Sequence, residues 1–189
     1  LAAARSAREA ASRLATLKQL LEEAPARIGG LRARREELGR SDAPARARET
    51  SEGIADGELP ARLKEAKQQA AAVEKELAGI VAELEGLPSP EELRQQIERA
   101  EKNLARIKQE LEARPEEGAL PALLEARRLL LLARQERDEA ELELARAGLD
   151  GDTSRRQLLK ARREIASLEL AARQALVQVL NERQARRQQ

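Results

Sequence analysis

Six residue types are missing from this chain of 189 residues: it has no Cys, His, Met, Phe, Tyr or Trp. Without cysteine there are no disulfides and no thiolate ligands, a gap that assigns no compartment. Without histidine the commonest metal ligand and the commonest general acid–base are gone. Without aromatics there are no flat surfaces on which unpaired bases stack. Charge of one sign is also lacking. Lys plus Arg number 35 and Asp plus Glu 34, so no overall field draws the chain to nucleic acid or an anionic membrane. The longest uninterrupted apolar run is LLLLA, residues 129–133, far below the ~20 residues of a membrane span. The chain opens on Leu1 with no initiator Met, basic leader or signal-like core. It is read as a piece of something longer, with any targeting segment or anchor lying outside it.

What is present points one way. Ala, Leu, Glu, Arg, Lys and Gln dominate and 37% of residues are charged. Strong helix formers in this proportion, with β-branched residues scarce, predict an all-α protein. Core side chains limited to Leu, Ala and a few Ile and Val predict a thin body. The expected fold is a set of elongated antiparallel hairpins in a coiled-coil-like bundle of about five helices. Alanine-rich seams let helix axes approach to roughly 8 Å, and stability then comes from many small layers in series.

Apolar residues at alternating four-three spacing mark the seams. Residues 1–38 read as a long first helix with its seam at Ala10, Leu14, Leu17, Leu21, Ala24, Ile28 and Leu31. Pro25 falls inside it and predicts a kink or short break there. Residues 39–58 lose the period and collect Gly, Ser, Asp and Pro, a linker expected to be part short helix and part mobile chain. The next seam, Leu59, Leu63, Ala66, Ala70, Val73, Leu77, Ile80 and Leu84, ends at the segment EGLPSPEE. There Gly86 suits a left-handed cap, Pro88 forbids continuation, and Ser89-Pro90-Glu91-Glu92 supplies a capping box for a new helix. Its seam is Leu93, Ile97, Ala100, Leu104, Ile107 and Leu111. The spacing predicts a first hairpin over residues 59–113, the two seams facing each other.

A break at ARPEEGALP, residues 113–121, precedes a seam at Leu123, Ala126, Leu130, Ala133, Ala140, Leu144 and Ala147, with Arg137 as a polar interruption. GLDGDTS, residues 148–154, reads as another reversal, with Asp152 or Thr153 capping a last helix whose seam includes Leu158, Ile165 and Leu168. Residues 114–189 are thus expected to form a second hairpin. Leu129, Leu131, Leu132, Leu159, Leu170, Val177 and Leu180 fall outside these seams and widen the apolar face, which predicts contact with a third helix, from the first helix or the first hairpin, or with a neighbouring copy.

No catalytic, cofactor-binding or metal-binding residues are assigned. The acidic groups Glu91–Glu92, Glu116–Glu117 and Glu136, Asp138, Glu139, Glu141 and Glu143 have the oxygen chemistry for Mg²⁺ or Ca²⁺, but Glu–Arg pairs on a solvated face are the stronger reading. The arginine doublets at 34–35, 127–128, 155–156, 162–163 and 186–187 have acidic neighbours within a turn or two, and surface solvation again outweighs phosphate binding. None of Ser6, Ser12, Ser41, Ser51, Ser89, Ser154 or Ser167 has a partner base in the sequence. The chain reads as a protein that is not an enzyme.

The order of segments resembles a known family. The first helix ends in Glu23-Ala24-Pro25; a polar linker comes next; the turn Leu87–Glu91 leads into IERAEKNLARIKQEL; then comes LLEARRLLLLARQERDEAELELARAGLDGDTSRRQLLKARREI. Together these resemble the N-terminal periplasmic helical region, or porin domain, of large MscS-like mechanosensitive channels of the KefA/MscK type, over nearly the whole chain. The resemblance implies a Gram-negative inner-membrane channel that opens under tension during osmotic downshock and forms a homo-heptamer, with some relatives responding to external potassium. It implies partners in the rest of the same polypeptide, no nucleic acid, membrane contact only through segments outside this chain, and a place on the periplasmic side. The competing readings are the coiled-coil arm of a chromosome-maintenance or DNA-repair ATPase and the α-hairpin of a periplasmic efflux adaptor.

Overall fold

The structure, a computed structural model, describes residues 2–40, 42–113 and 120–188. Among these it holds five α-helices and no strand: α1 (Ala2–Gly39), α2 (Ala43–Glu52), α3 (Leu59–Glu85), α4 (Pro90–Glu112) and α5 (Pro121–Gln188), with a 3-10 turn at Asp56–Glu58 between α2 and α3. The all-α, five-helix expectation holds.

Local chemistry accounts for the helix ends. Asp42 accepts from the Ala45 amide at 3.1 Å and starts α2, with Pro44 in its first turn, so the linker does contain a short helix. Ser89 Oγ accepts from the Glu92 amide at 3.1 Å while Glu92 Oε2 accepts from the Ser89 amide at 2.7 Å, the reciprocal box that the sequence predicts. Gly86 differs from expectation. It is right-handed, φ −79° and ψ −2°, its amide still bonded to the Ala82 carbonyl at 2.9 Å. What stops α3 is Pro88, which disfavours helical backbone at the preceding Leu87.

Two sequence breaks are not breaks. α1 runs through Pro25 without interruption; Pro25 is exposed while Ala24 and Ile28, its seam neighbours, are buried. α5 likewise runs through GLDGDTS, so residues 148–154 make no reversal, Asp152 and Thr153 cap nothing, and the expected second hairpin is one continuous helix. The glycines there serve packing. A Cβ on Gly151 would lie 2.4 Å from Leu21 Cδ1, and one on Gly148 would lie 3.5 Å from Leu93. Gly151 is a gap for the opposing Leu21, whereas at Gly148 a Cβ would make only an ordinary contact with Leu93, and neither is a turn residue. The break at 113–121 falls largely outside the described residues, as do Ser41 and Glu116–Glu117.

The chain divides into two compact units, each assembled from separated stretches: Leu1–Ala24 with Pro88–Arg155, and Pro25–Leu87 with Arg156–Gln189. In the first, α4 lies antiparallel to the leading part of α5. Leu93 meets Gly148, and Ala100 and Leu104 pack on Leu142. In the second, α3 lies antiparallel to the trailing part of α5. Leu59, Leu63 and Ala66 pack with Leu180, and Ile80 with Leu159 and Ala166. Antiparallel pairing is therefore present within each unit, α3 and α4 each lying against its own stretch of α5. The extra apolar residues Leu159 and Leu180 are 2% and 1% exposed, more deeply buried than the seam first assigned to this part of α5. Burying one such leucine contributes roughly 1.5–3 kcal/mol.

Candidate functional site

Most polar side chains that join elements in this protein project from α5. In the second unit, Arg183 and Arg187 stand one helical turn apart and therefore on one face. Arg183 Nη2 donates to Asp56 Oδ1 at 2.7 Å, and Arg183 Nη1 donates to the Ser51 carbonyl. Arg187 Nη1 donates to the Asp56 carbonyl at 2.6 Å. Two guanidiniums thus satisfy the carboxylate of the 3-10 turn and carbonyls at and beyond the end of α2, where free acceptors and the negative end of the helix dipole collect. Further along, Arg173 donates to Gln69 at 2.7 Å, and Arg34 and Arg35 of α1 reach Glu169 and Glu164 at 3.7 and 3.1 Å.

A cavity of about 330 Å³ opens beside the Asp56 clamp, with Ile54, Ala66, Leu176 and Leu180 among its apolar lining and Glu58 and Arg62 among its polar lining. A groove of about 460 Å³ runs along the α3–α5 seam, lined by Ala70, Ala71 and Val177 with Lys67, Glu74 and Glu182. Both combine alkyl surface with exposed charge. Neither lining contains a serine, a histidine or a cysteine.

In the first unit, Arg146 donates to Glu101 at 2.6 Å, tying α5 to α4. Asp138 is 2% exposed, and its Oδ1 accepts from the neighbouring Arg137 through Nε at 2.8 Å and Nη2 at 2.5 Å. That hydrogen bond raises the Arg137 pKa above its ordinary value. The seam here is shifted one residue from the expected one. Leu131, Asp138 and Ala145 are buried at seven-residue intervals, whereas Leu123 and Leu130 are 64% and 49% exposed. Arg137 is therefore the partner of the polar interruption rather than the interruption itself. The seven-residue spacing of 131, 138 and 145 was visible in the sequence. The meeting of Asp56 with Arg183 across 127 positions left no local trace.

Of the acidic residues weighed for cation binding, Glu92 closes the α4 cap, Glu139 accepts from Gln135 at 2.8 Å, and Glu141 lies 3.7 Å from Arg137. Among the described residues no three acidic side chains form a group able to hold a metal ion. Arg34 and Arg35 pair with acids, Arg162 lies 4.0 Å from Glu76, Arg187 joins Asp56, and Arg155 keeps a buried Nε with no acceptor. Ser51 is buried and Ser89 is the α4 cap.

Comparison with protein families matches residues 1–189 to the mechanosensitive ion channel porin domain. The chain belongs to this family. No curated protein and no solved structure matches it. A mechanosensitive channel porin domain is part of a larger channel polypeptide and of an oligomer, and the family is not one of enzymes. Among the described residues of this porin domain no helix is long and apolar enough to cross a membrane.

Proposed function

We propose that this porin domain is a non-catalytic, periplasmic arm of an MscS-like channel of the potassium-efflux, KefA/MscK type, acting in the response to osmotic stress. It works without cofactor or nucleic acid, on the periplasmic side of the bacterial inner membrane. Its partners are the rest of the same polypeptide and the other copies of a homo-heptamer, and it meets the membrane only through segments outside this chain. The observation that carries the reading is the family match over residues 1–189. It is supported by an architecture in which one uninterrupted helix, α5, is the common partner of α3 and α4. A helix whose backbone bonds run unbroken transmits displacement along its axis with little loss, which suits a regulatory lever.

Two experiments on the full-length channel test this. Truncating both sides of one α3–α5 contact, with Leu63→Ala and Leu180→Ala together, softens the packing by several kcal/mol. Patch-clamp recordings are expected to show a shifted tension threshold, and an unaltered threshold removes the lever. For location, Lys75→Cys places a thiol on exposed helix surface in a segment otherwise free of cysteine. A membrane-impermeant maleimide is expected to label it in cells with a permeabilised outer membrane; labelling only after inner-membrane lysis contradicts the periplasmic placement.

A further inference from the structure

The chain passes from one compact unit to the other three times, after Ala24, after Leu87 and after Arg155. Each passage carries residues that weaken a helix. In α1 the first residue across is Pro25, which has no amide to donate to the Leu21 carbonyl and whose ring crowds that turn. Gly29 and Gly30 follow one turn later. Between α3 and α4 the passage is residues 86–89, which lie outside any helix. In α5 it follows directly on GLDGDTS, residues 148–154, where every residue but Leu149 is a poor helix former.

Contacts within the first unit set these weak points at one level. Leu21, whose carbonyl is the one that Pro25 cannot serve, has its side chain against Gly151, where an added Cβ would lie 2.4 Å from Leu21 Cδ1. Leu93, in the first turn of α4 after residues 86–89, has its side chain beside Gly148, where a Cβ would lie 3.5 Å away. Gly148 and Gly151 are about 4.5 Å apart along α5. The weak turns of α1 and α5 and the start of α4 therefore fall within about one helical turn, and no run of strong helix formers crosses that level.

We infer that this level is a hinge, at which α5 bends within residues 148–154 while α1 near Pro25 and the 86–89 link yield beside it. In the straight state the backbone bonds of α5 run through it, so displacement along the axis still passes. Bending is concentrated in two turns instead of being spread over 68 residues. In the bent state the same motif supplies what two helix ends require. Gly148 or Gly151 accepts the left-handed backbone of a C-terminal cap, and Asp152 or Thr153 is of the type that caps the helix that follows. Turn chemistry inside a continuous helix thus belongs to a second conformation of α5. The inference rests on the backbone chemistry of the three passages and not on the channel reading.

The cysteine-free chain takes paired spin labels without background. E136C with Q157C spans residues 148–154, whereas Q157C with Q178C lies wholly beyond them. All three positions are exposed and both pairs are 21 residues apart, about 32 Å of straight helix. Double electron–electron resonance on the 189-residue chain is expected to give a distance distribution about twice as broad for the first pair as for the second. G148A with T153A strengthens the helix where the new Cβ makes only ordinary contact and Thr153 is exposed. It is expected to narrow the first distribution, leave the second unchanged, and slow amide exchange over residues 149–155 about tenfold. P25A, at an exposed position of α1, is expected to narrow the first distribution without touching α5, which separates a shared hinge from fraying of α5 alone. Equal widths for the two pairs, a width that G148A with T153A leaves unaltered, or a width that P25A leaves unaltered overturns the proposal.

Discussion

At the scale of single residues, the clearest dependence of packing on side-chain identity is at Gly151. A helix interior ordinarily gains about 1 kcal/mol when alanine replaces glycine, and Gly79, with nothing within 4 Å of an added Cβ, is expected to behave that way. At Gly151 the added carbon meets Leu21 Cδ1 and Cδ2 at 2.4 and 2.5 Å and Cγ at 3.0 Å. Moving a whole isobutyl group costs about 1–3 kcal/mol. Gly151→Ala should therefore destabilise the protein in urea unfolding, Gly79→Ala should stabilise it, and Gly151→Ala placed in a Leu21→Ala background should lose its penalty. A penalty that persists in that background would show that Leu21 is not its cause. Glu92 supplies a second residue-level dependence. The Ser89 amide holds its carboxyl below the ordinary value of 4.5. A group depressed on folding contributes stability above its unfolded value and loses it as the pH falls through its folded one. The start of α4 is expected to fray as the pH drops below about 4, read as faster amide exchange at Ser89 and Glu92. Glu92→Gln should remove that pH dependence.

At the scale of elements, the central fact is that α5 is continuous and its seam carries an acid. Removing Arg137 leaves the Asp138 carboxylate buried without its donor, which costs about 1–3 kcal/mol. Asp138→Leu, which extends the Leu131 seam, is expected to be neutral or stabilising. Thermal melts of Arg137→Ala and Asp138→Leu should move in opposite directions or, at the least, only the first should fall. Helix identity, the capping box and the inward faces of α1, α3 and α4 were legible in the sequence, because period and cap chemistry are local. Ala10, Leu14, Leu63, Ala66, Leu104 and Ile107 all sit where the spacing puts them. What was not legible was which stretch of α5 each face meets, since spacing marks an apolar face without naming its mate. Gly151 was misread because glycine marks both turns and close approaches, and only the leucine opposite, Leu21, distinguishes the two. The Asp56 clamp was hidden because Asp56 and Arg183 lie 127 positions apart, beyond any local pattern.

At the scale of the whole molecule, both compact units are composites. Leu1–Ala24 belongs with Pro88–Arg155, and Pro25–Leu87 with Arg156–Gln189. Neither can be excised with a single cut. A chain severed between Leu87 and Pro88 leaves residues 1–87 without α5, the partner of the α3 seam, while residues 88–189 keep the α4–α5 contacts and lose the cover of the trailing part of α5. Residues 1–87 alone are expected to show weak, non-cooperative helical melting, and mixing with residues 88–189 should restore a cooperative transition. Independent cooperative folding of residues 1–87 alone would contradict this. The same interleaving fixes an order of events during synthesis. Residues 25–87 leave the ribosome with Leu59, Leu63 and Ile80 unmatched, and their counterparts Leu159 and Leu180 emerge only after a further 68 residues, Pro88–Arg155, have been made. At roughly 5–20 residues per second that is a wait of several seconds, during which the nascent segment offers its bare leucines to any chaperone that patrols the tunnel exit.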